Sequence, residues 1–130
     1  MSNHFKGSHT HTLPEFEPDI PIFTKLYDFY KNLSTTIPAF PKTKRYTLGQ
    51  KLDNLTLEIF ELLFSVPYSQ NKVSTLQQIS IKLDLLKVLL KSAKDTQALK
   101  ESRYLELQES LQEIGRMLGG WLKSTKQTSL

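Results

Sequence analysis

The stretch LGQKLDNLTLEIFELLFSV, residues 48–66, repeats an apolar residue at alternating intervals of four and three. These intervals place apolar side chains on one stripe of an α-helix that packs against other helices. A second apolar set in the same stretch lies off that stripe, so this helix is expected to bury more than one side. The stripe comprises Leu48, Leu52, Leu55, Ile59, Leu62 and Val66. The second set comprises Leu57, Phe60, Leu63 and Phe64.

The same helical periodicity recurs on either side of this stretch. Prolines at 38 and 41 interrupt it, because a proline disfavours helical conformation in the residue before it, and Pro67 ends the second helix. Thr43 is the predicted N-cap of that helix. Short connectors make neighbouring helices antiparallel, which predicts an all-α, up-down-up-down four-helix bundle. The predicted helices span residues 22–37, 43–66, 72–98 and 101–124.

The domain organisation follows from composition along the 130 residues, a length typical of one domain. Prolines and small polar residues predict a flexible N-terminal tail at residues 1–21, followed by the bundle at 22–126 and a C-terminal tail at 127–130. No apolar run approaches the ~20 residues that span a bilayer, and no secretory signal is present. We therefore expect a cytoplasmic protein without a membrane association.

The residues needed for catalysis are largely missing from the predicted helices. The chain has no cysteine, which excludes disulfides and thiolate chemistry, and its three histidines, His4, His9 and His11, all fall in the tail. Glu106, Glu109 and Glu113 share a helix face, but the Glu-x-x-His motif of a di-iron bundle is absent, so a solvated face is expected. We predict no enzyme activity, no cofactor and no metal site.

Positive charge is concentrated in the predicted bundle. Residues 1–41 hold three lysines against four acids, whereas residues 42–130 hold fourteen basic residues against nine acids. Such a surplus favours polyanionic partners, because neutralised phosphates release condensed counterions. The alternative, that the lysines only solvate helix surfaces, stays open at this point.

Nine basic residues are candidate contacts to nucleic acid or to a polymerase. Three recur at intervals of four and three on the third predicted helix, and three cluster where the second begins, near backbone N–H groups that favour anions. Lysines without interleaved aromatic residues predict sequence-independent contact with the phosphate backbone. Arg116 is either a phosphate contact or half of a structural ion pair. The candidates are Lys42, Lys44, Arg45, Lys87, Lys91, Lys94, Lys100, Arg103 and Arg116.

The extra apolar residues on the second and third helices indicate an interface. A monomeric four-helix bundle leaves about half of each helix polar, so a homo-oligomer is expected to cover this surplus. The alternative is that some of these side chains enlarge the core or touch the first helix. The predicted interface residues are Leu57, Phe60, Phe64, Leu85, Val88 and Leu89.

Glycines at 115, 119 and 120 interrupt an otherwise helical pattern, each at a cost of about 1 kcal/mol relative to alanine. They predict either a close approach between helices or an early end to the fourth helix. Trp121 beside them is predicted to lie in the core.

Three segments carry a resemblance to a known family: FPKTKRYTLGQKL at 40–52, KLDLLK at 82–87 and IGRMLGGW at 114–121. Together they resemble the accessory variability determinant proteins of diversity-generating retroelements. These proteins are relatives of the four-helix-bundle family encoded in ribosomal-RNA intervening sequences. The resemblance covers about residues 38–123.

This resemblance implies a non-catalytic subunit that forms a ring-like homopentamer. It also implies binding to the retroelement reverse transcriptase and to RNA, the template-repeat transcript, and to DNA through a basic surface. The complex would copy that RNA with errors into the cDNA that diversifies a target gene. The alternative is a structural bundle of the ribosomal-RNA intervening-sequence type whose partner is another protein.

Overall fold

The computed structural model describes residues 20–129. Residues 1–19 of the predicted N-terminal tail, with the three histidines, lie outside the described residues, as does Leu130. Within the described range the chain is helical, without a strand, which confirms the predicted all-α class. The four long helices are α1 (Ile20–Thr36), α2 (Gln50–Ser65), α3 (Lys72–Asp95) and α4 (Glu101–Ser129).

Each long helix packs against two others: α1 and α3 both contact α2 and α4. Arg103, in the first turn of α4, donates a hydrogen bond to Asn32 near the end of α1, so these two helices are antiparallel. The two connectors that follow α1 and α3 lie at the same end, where Ala39 and Lys100 line one cavity. The arrangement is an up-down-up-down bundle.

The core is a single cluster of leucine, isoleucine and phenylalanine side chains from all four helices. On α2 the buried position is Leu63, whereas Leu62, predicted for the stripe, is half-buried. A straight helix with 3.6 residues per turn drifts away from a strict alternation of four and three, and this drift moves the buried position by one residue. Trp121 packs against the core but keeps part of its surface exposed.

The α1–α2 connector is itself mostly helical. A 3₁₀ turn (Ile37–Ala39) leads to Phe40, which is fully buried, and then to a short α-helical turn (Lys42–Lys44). No side chain caps this turn, so the prediction of Thr43 as an N-cap is wrong. A π-helical turn (Arg45–Gly49) then runs directly into α2.

The α3–α4 connector corrects a predicted boundary. Helix α3 ends at Asp95 rather than 98, and Gln97 adopts a left-handed conformation with φ of 65°. The N–H groups of Ala98 and Leu99 both donate to the carbonyl of Ala93, at 2.8 and 3.1 Å. Ala98 and Leu99 are buried, so they extend the apolar pattern of α3 beyond the point where its helical backbone ends.

The start of α3 and the end of α4 add detail to the predicted helix boundaries. Asn71 caps α3, with its side-chain oxygen accepting from the N–H of Ser74 at 3.0 Å. Helix α4 continues to Ser129, so most of the predicted C-terminal tail at 127–130 is helical, and the glycines do not end the helix early. None of the helices in the described range is both long and apolar enough to cross a membrane.

Candidate nucleic-acid and protein interfaces

Seven of the nine candidate basic residues lie at the end of the bundle where the two connectors meet. Residues 37–49 hold three basic residues and no acid, and residues 91–103 hold four basic residues against two acids. This one end therefore carries a surplus of about five charges, against a net +4 for the whole chain. We call it the basic end; its cations are Lys42, Lys44, Arg45, Lys91, Lys94, Lys100 and Arg103.

Two lysines of the basic end share one carboxylate. The Lys91 Nζ lies 3.0 Å from one oxygen of Asp95, and the Lys94 Nζ lies 3.6 Å from the other. The hydrogen bond from Lys91 is the main reason that the pKa of Asp95 is lowered. Lys94 also lies over the ring of Tyr104, 5.1 Å from its centroid. Part of the positive charge is therefore neutralised within the chain.

The two arginines of the basic end are held by neighbouring groups. Arg103 donates to Asn32 at 2.9 Å and to Glu106 at 3.0 Å. Arg45 donates to the carbonyl of Phe40 at 3.2 Å.

Three lysines of the basic end remain uncompensated. In residues 20–129, no carboxylate lies within 4.0 Å of Lys42, Lys44 or Lys100. These three cations are therefore the most available to phosphate groups.

The surface between the connectors is concave. A cavity of about 640 Å³ lies at this end and is lined by Lys94 and Lys100 among others. Another cavity, of about 480 Å³, lies elsewhere on the bundle. A neighbouring cavity of about 200 Å³ shares Lys100 and is also lined by Arg103. The larger cavity also has Asp95 and Glu101 in its lining, so the charges that line it balance. The smaller cavity is lined by Lys100 and Arg103 without an acid, and a concave basic surface of this kind raises the local concentration of anions.

One aromatic residue at the basic end escaped the sequence analysis. Tyr46 follows Arg45 directly, and 65 % of its surface is exposed. The Arg45 guanidinium lies over its ring, 5.8 Å from the centroid. The premise that the lysines lack a neighbouring aromatic side chain was therefore wrong at this position. Periodicity gave no signal here, since the exposure of Tyr46 depends on the π-helical turn that carries it.

The other two candidates, Lys87 and Arg116, lie away from the basic end, in the 480 Å³ cleft between α3 and α4. Lys87 is 4.0 Å from Asp84, and Arg116 forms an ion pair with Glu113. Arg116 thus makes the structural ion pair that the sequence left open. Together these contacts leave the cleft with little unpaired charge.

The glycines of α4 differ in their surroundings. A Cβ at Gly115 would lie 3.2 Å from the Lys87 Nζ, so α3 and α4 do approach closely there. At Gly119 and Gly120 a Cβ would meet nothing within 4 Å. Close helix approach therefore accounts for only the first of the three.

The six predicted interface residues form two separate surfaces. On α2, Leu57 and Phe64 are exposed, and Phe60 is half-buried because its ring meets Phe23 and Tyr30 of α1 at centroid distances of 6.3 and 6.1 Å. The alternative of contact with the first helix thus holds for Phe60. We call Leu57, Phe60 and Phe64 the α2 patch.

The second surface lies on the outer side of α3. Val88 is 62 % exposed and Leu85 41 %, while Leu89 is half-buried. Ile81, which the sequence analysis did not single out, is 70 % exposed and lies one turn before Leu85. We call Ile81, Leu85, Val88 and Leu89 the α3 patch. Both patches are apolar and sit on the sides of the bundle.

Among residues 20–129, no group of three or more histidine or acidic side chains is placed to hold a metal ion. No curated protein and no solved structure matches the chain. A family model described as bAvd-like matches residues 21–125, which extends the resemblance seen in the sequence to include α1. Since this match spans all four long helices, the chain belongs to the bAvd-like family, the accessory variability determinant family of diversity-generating retroelements.

Proposed function

We propose that this protein is the non-catalytic accessory subunit of a diversity-generating retroelement, acting in the cytoplasm. It binds the reverse transcriptase and RNA or DNA, and so supports error-prone cDNA synthesis from the template-repeat RNA. Membership in the family carries the general accessory role. The specific partners are our inference from the surface chemistry.

The observation that carries the proposal is the basic end. Of its uncompensated lysines, Lys100 lines the cavity formed by the two connectors, and Lys42 directly follows Pro41, another lining residue. Lysine acts as a point charge without the bidentate geometry of arginine, which suits contact with phosphates more than recognition of bases. The nucleic acid is therefore bound through its backbone at this end.

The first experiment is co-expression of the chain with the reverse transcriptase of its own locus. We expect a complex that survives nuclease treatment and contains several copies of this chain by light scattering. A lone monomer without retained polymerase would contradict the accessory role.

A second experiment tests the basic end. We expect Lys42→Glu with Lys44→Glu to weaken RNA binding strongly and to reduce the slope of log affinity against log salt by about two units. The matched control is Lys123→Glu with Lys126→Glu, which makes the same charge change on exposed residues in the last turns of α4. Equal losses in both double variants would refute the assignment to the basic end.

The exposed apolar patches favour one alternative function, a structural bundle of the ribosomal-RNA intervening-sequence type that binds a protein. In the α3 patch, Ile81 is 70 % and Val88 62 % exposed, and neighbouring exposed apolar side chains of this kind mark contact surfaces. Salt separates the two functions, because phosphate contacts make affinity fall steeply with salt and apolar contacts do not.

We further propose that the two apolar patches join copies of this chain in a ring-like homopentamer. The α2 patch lies on the α1 side of α2, since Phe60 faces α1, whereas the opposite flank of α2 meets α3 through the Glu58–Lys82 ion pair at 3.0 Å. The two patches are thus on different sides of the bundle. Two different surfaces suit a heterologous contact, which closes into a ring when the rotation allows it.

A further inference from the structure

Tyr46 borders a cavity that the backbone-binding role leaves unused. The cavity measures about 410 Å³ and lies between the end of α1 and the start of α2. Its lining residues are Ser34, Ile37, Pro38, Arg45, Tyr46, Gly49, Gln50 and Asp53. It therefore combines an exposed aromatic ring, apolar walls and three side chains that can form hydrogen bonds.

The position of the Tyr46 ring depends on the π-helical turn Arg45–Gly49. That turn is pressed against the 3₁₀ turn that follows α1, since a Cβ at Gly49 would lie only 2.9 Å from the Ile37 Cγ2. The Arg45 guanidinium fixes the start of the turn through the Phe40 carbonyl. Single π-helical turns within helices are often found at functional sites, where they re-aim a side chain. Here the turn carries the exposed ring.

The polar groups of the cavity match what the edge of a nucleobase offers. Gln50 can both donate and accept a hydrogen bond, Asp53 accepts, and the Ser34 hydroxyl does either. The Arg45 Nε is buried without a hydrogen-bond partner among the described residues. The pKa of Tyr30 is raised, chiefly by its hydrogen bond to Asp53, so the Tyr30 hydroxyl is a neighbour of this carboxylate.

Charge on the same turn suits the phosphates beside such a base. Lys42 precedes Tyr46 by four residues, about one helical turn, so the two side chains lie on neighbouring parts of the surface. Lys42 is exposed and Lys44 half-exposed. Stacking on an aromatic ring beside a lysine-lined backbone path is how proteins hold single strands, whereas the bases of a duplex are already stacked on each other.

We propose that Tyr46 and the adjoining cavity hold one unpaired nucleobase of a single strand whose phosphates contact Lys42 and Lys44. The base stacks on the Tyr46 ring, and Gln50, Asp53 and Ser34 meet its edge. This site rests on the proposed nucleic-acid function and narrows its ligand to single-stranded RNA or DNA. With this site, the basic end distinguishes a single strand from a duplex in addition to attracting negative charge.

The test compares fluorescence anisotropy of a labelled single strand of about 20 nucleotides with a duplex of the same length. We expect Tyr46→Ala to weaken single-strand binding by about 5- to 150-fold, the range for loss of one base–aromatic stack, with an unchanged salt slope and unchanged duplex binding. Tyr46→Phe keeps the ring and is expected to keep single-strand affinity.

The matched control is Tyr27→Ala. Tyr27 is also exposed, at 56 %, and also has a lysine over its ring, with the Lys31 Nζ 4.7 Å from the centroid, but it lies on α1 away from the basic end. We expect this variant to bind both probes as the unaltered protein does. Light scattering on each variant checks that assembly is unchanged.

A direct readout accompanies the affinities. A single strand carrying 5-iodouridine, irradiated in the complex and digested, is expected to cross-link to Tyr46 by mass spectrometry. Equal affinity of Tyr46→Ala and the unaltered protein, an equal loss for the duplex, or a cross-link elsewhere would each overturn the base site. If the unaltered protein binds neither probe, the nucleic-acid function itself fails; if binding needs Lys42 and Lys44 but not Tyr46, only the base site fails.

Discussion

At the scale of single residues, Asp95 controls how much positive charge the basic end presents. Its carboxylate accepts from Lys91 and lies within 3.6 Å of Lys94. Lys91 lowers the pKa of Asp95, so this carboxylate stays ionised to a lower pH than an ordinary aspartate, and the pairing is lost only as the pH falls through that lowered value. We expect Asp95→Asn to release both lysines and to tighten RNA binding by about threefold to tenfold at low salt.

Filter binding at several salt concentrations measures this change, and Asp28→Asn is its control. Asp28 makes a comparable exposed ion pair with Lys31, at 3.5 Å, on α1 away from the basic end. Both substitutions raise the net charge by one unit, so any difference between their effects on RNA affinity comes from the position of the residue. An equal gain from the two variants would mean that overall charge, and not the basic end, sets the affinity.

Gln97 is the one residue in the described range that is not glycine and has a positive φ, 65°. A side chain in this conformation costs roughly 1–2 kcal/mol, while glycine adopts it without that cost but loses more entropy on folding. We expect Gln97→Gly to raise the free energy of unfolding by about 0.5–1 kcal/mol. Urea denaturation followed by circular dichroism measures the change.

The matched control for this prediction is Gln78→Gly, an exposed glutamine within α3. There glycine brings only its entropy loss, so we expect destabilisation of about 0.5–1 kcal/mol. The two glutamine-to-glycine changes should therefore have opposite signs. Destabilisation by both would show that the Gln97 side chain makes a contribution that outweighs its backbone strain.

The sequence indicates which basic residues are candidate contacts more readily than it indicates the groups with which they pair. All nine candidate cations were identified by type and spacing, but their neutralisation depends on which acids the fold brings close. Asp95 lies within a few residues of the lysines it pairs with, whereas Arg103 also bonds Asn32, 71 positions away. Long-range pairs of that kind have no periodic signal in a single sequence.

At the scale of elements, the π-helical turn before α2 is a tightly packed junction that leaves no room for a side chain at Gly49. Placing a methyl group at Gly49 would bring it 2.9 Å from the Ile37 Cγ2, a contact that forces the connector to move. We expect Gly49→Ala to lower the free energy of unfolding by about 1–3 kcal/mol, as overpacking does. Thermal denaturation at a fixed protein concentration measures it.

Gly120→Ala is the control within a long helix. A Cβ at Gly120 meets nothing within 4 Å, so alanine gains helix propensity without a clash. We expect stabilisation by about 0.5–1 kcal/mol. If Gly49→Ala were equally stabilising, the close contact between Gly49 and Ile37 within the connector would not exist in solution.

The elements that could be predicted are the ones held by apolar periodicity. All four long helices were identified because each buries a continuous stripe. Apart from Leu62 and the end of α4, the errors fall at the connectors, where Phe40, Ala98 and Leu99 are buried without α-helix and a π-helical turn precedes α2. The backbone geometry of the connectors is set by how they pack against each other, and the apolar periodicity of the helices does not predict that packing.

At the scale of the whole molecule, charge and apolar surface are segregated. Seven of the nine candidate cations lie at the end formed by the two connectors, while the α2 patch and the α3 patch lie on the sides of the bundle. Copies joined through the sides would leave each basic end exposed and would bring several of them to one face of the assembly. Several weak phosphate contacts then act together, which raises the overall affinity without a new contact.

The proposed ring does not follow from the periodicity alone, because excess apolar positions predict that a partner is needed but not on which side of the bundle it binds. The side of the bundle on which the α2 patch lies is shown by contacts such as those of Phe60 with α1 and of Lys82 with Glu58. Once these are known, the two patches are distinguishable. An isologous dimer would use one patch twice, whereas a heterologous ring joins one patch to the other.

This difference gives a test that does not depend on knowing the number of subunits. We expect Phe64→Glu, which damages the α2 patch, and Val88→Glu, which damages the α3 patch, each to be monomeric by light scattering, because a buried unpaired charge is costly. Mixed together, the two variants retain one intact patch of each kind. They should therefore form a one-to-one dimer that grows no further. In an isologous assembly through the α2 patch, Val88→Glu alone would still self-associate and mixing would recruit no Phe64→Glu chain, so the composition of the mixed species identifies which symmetry the bundle uses.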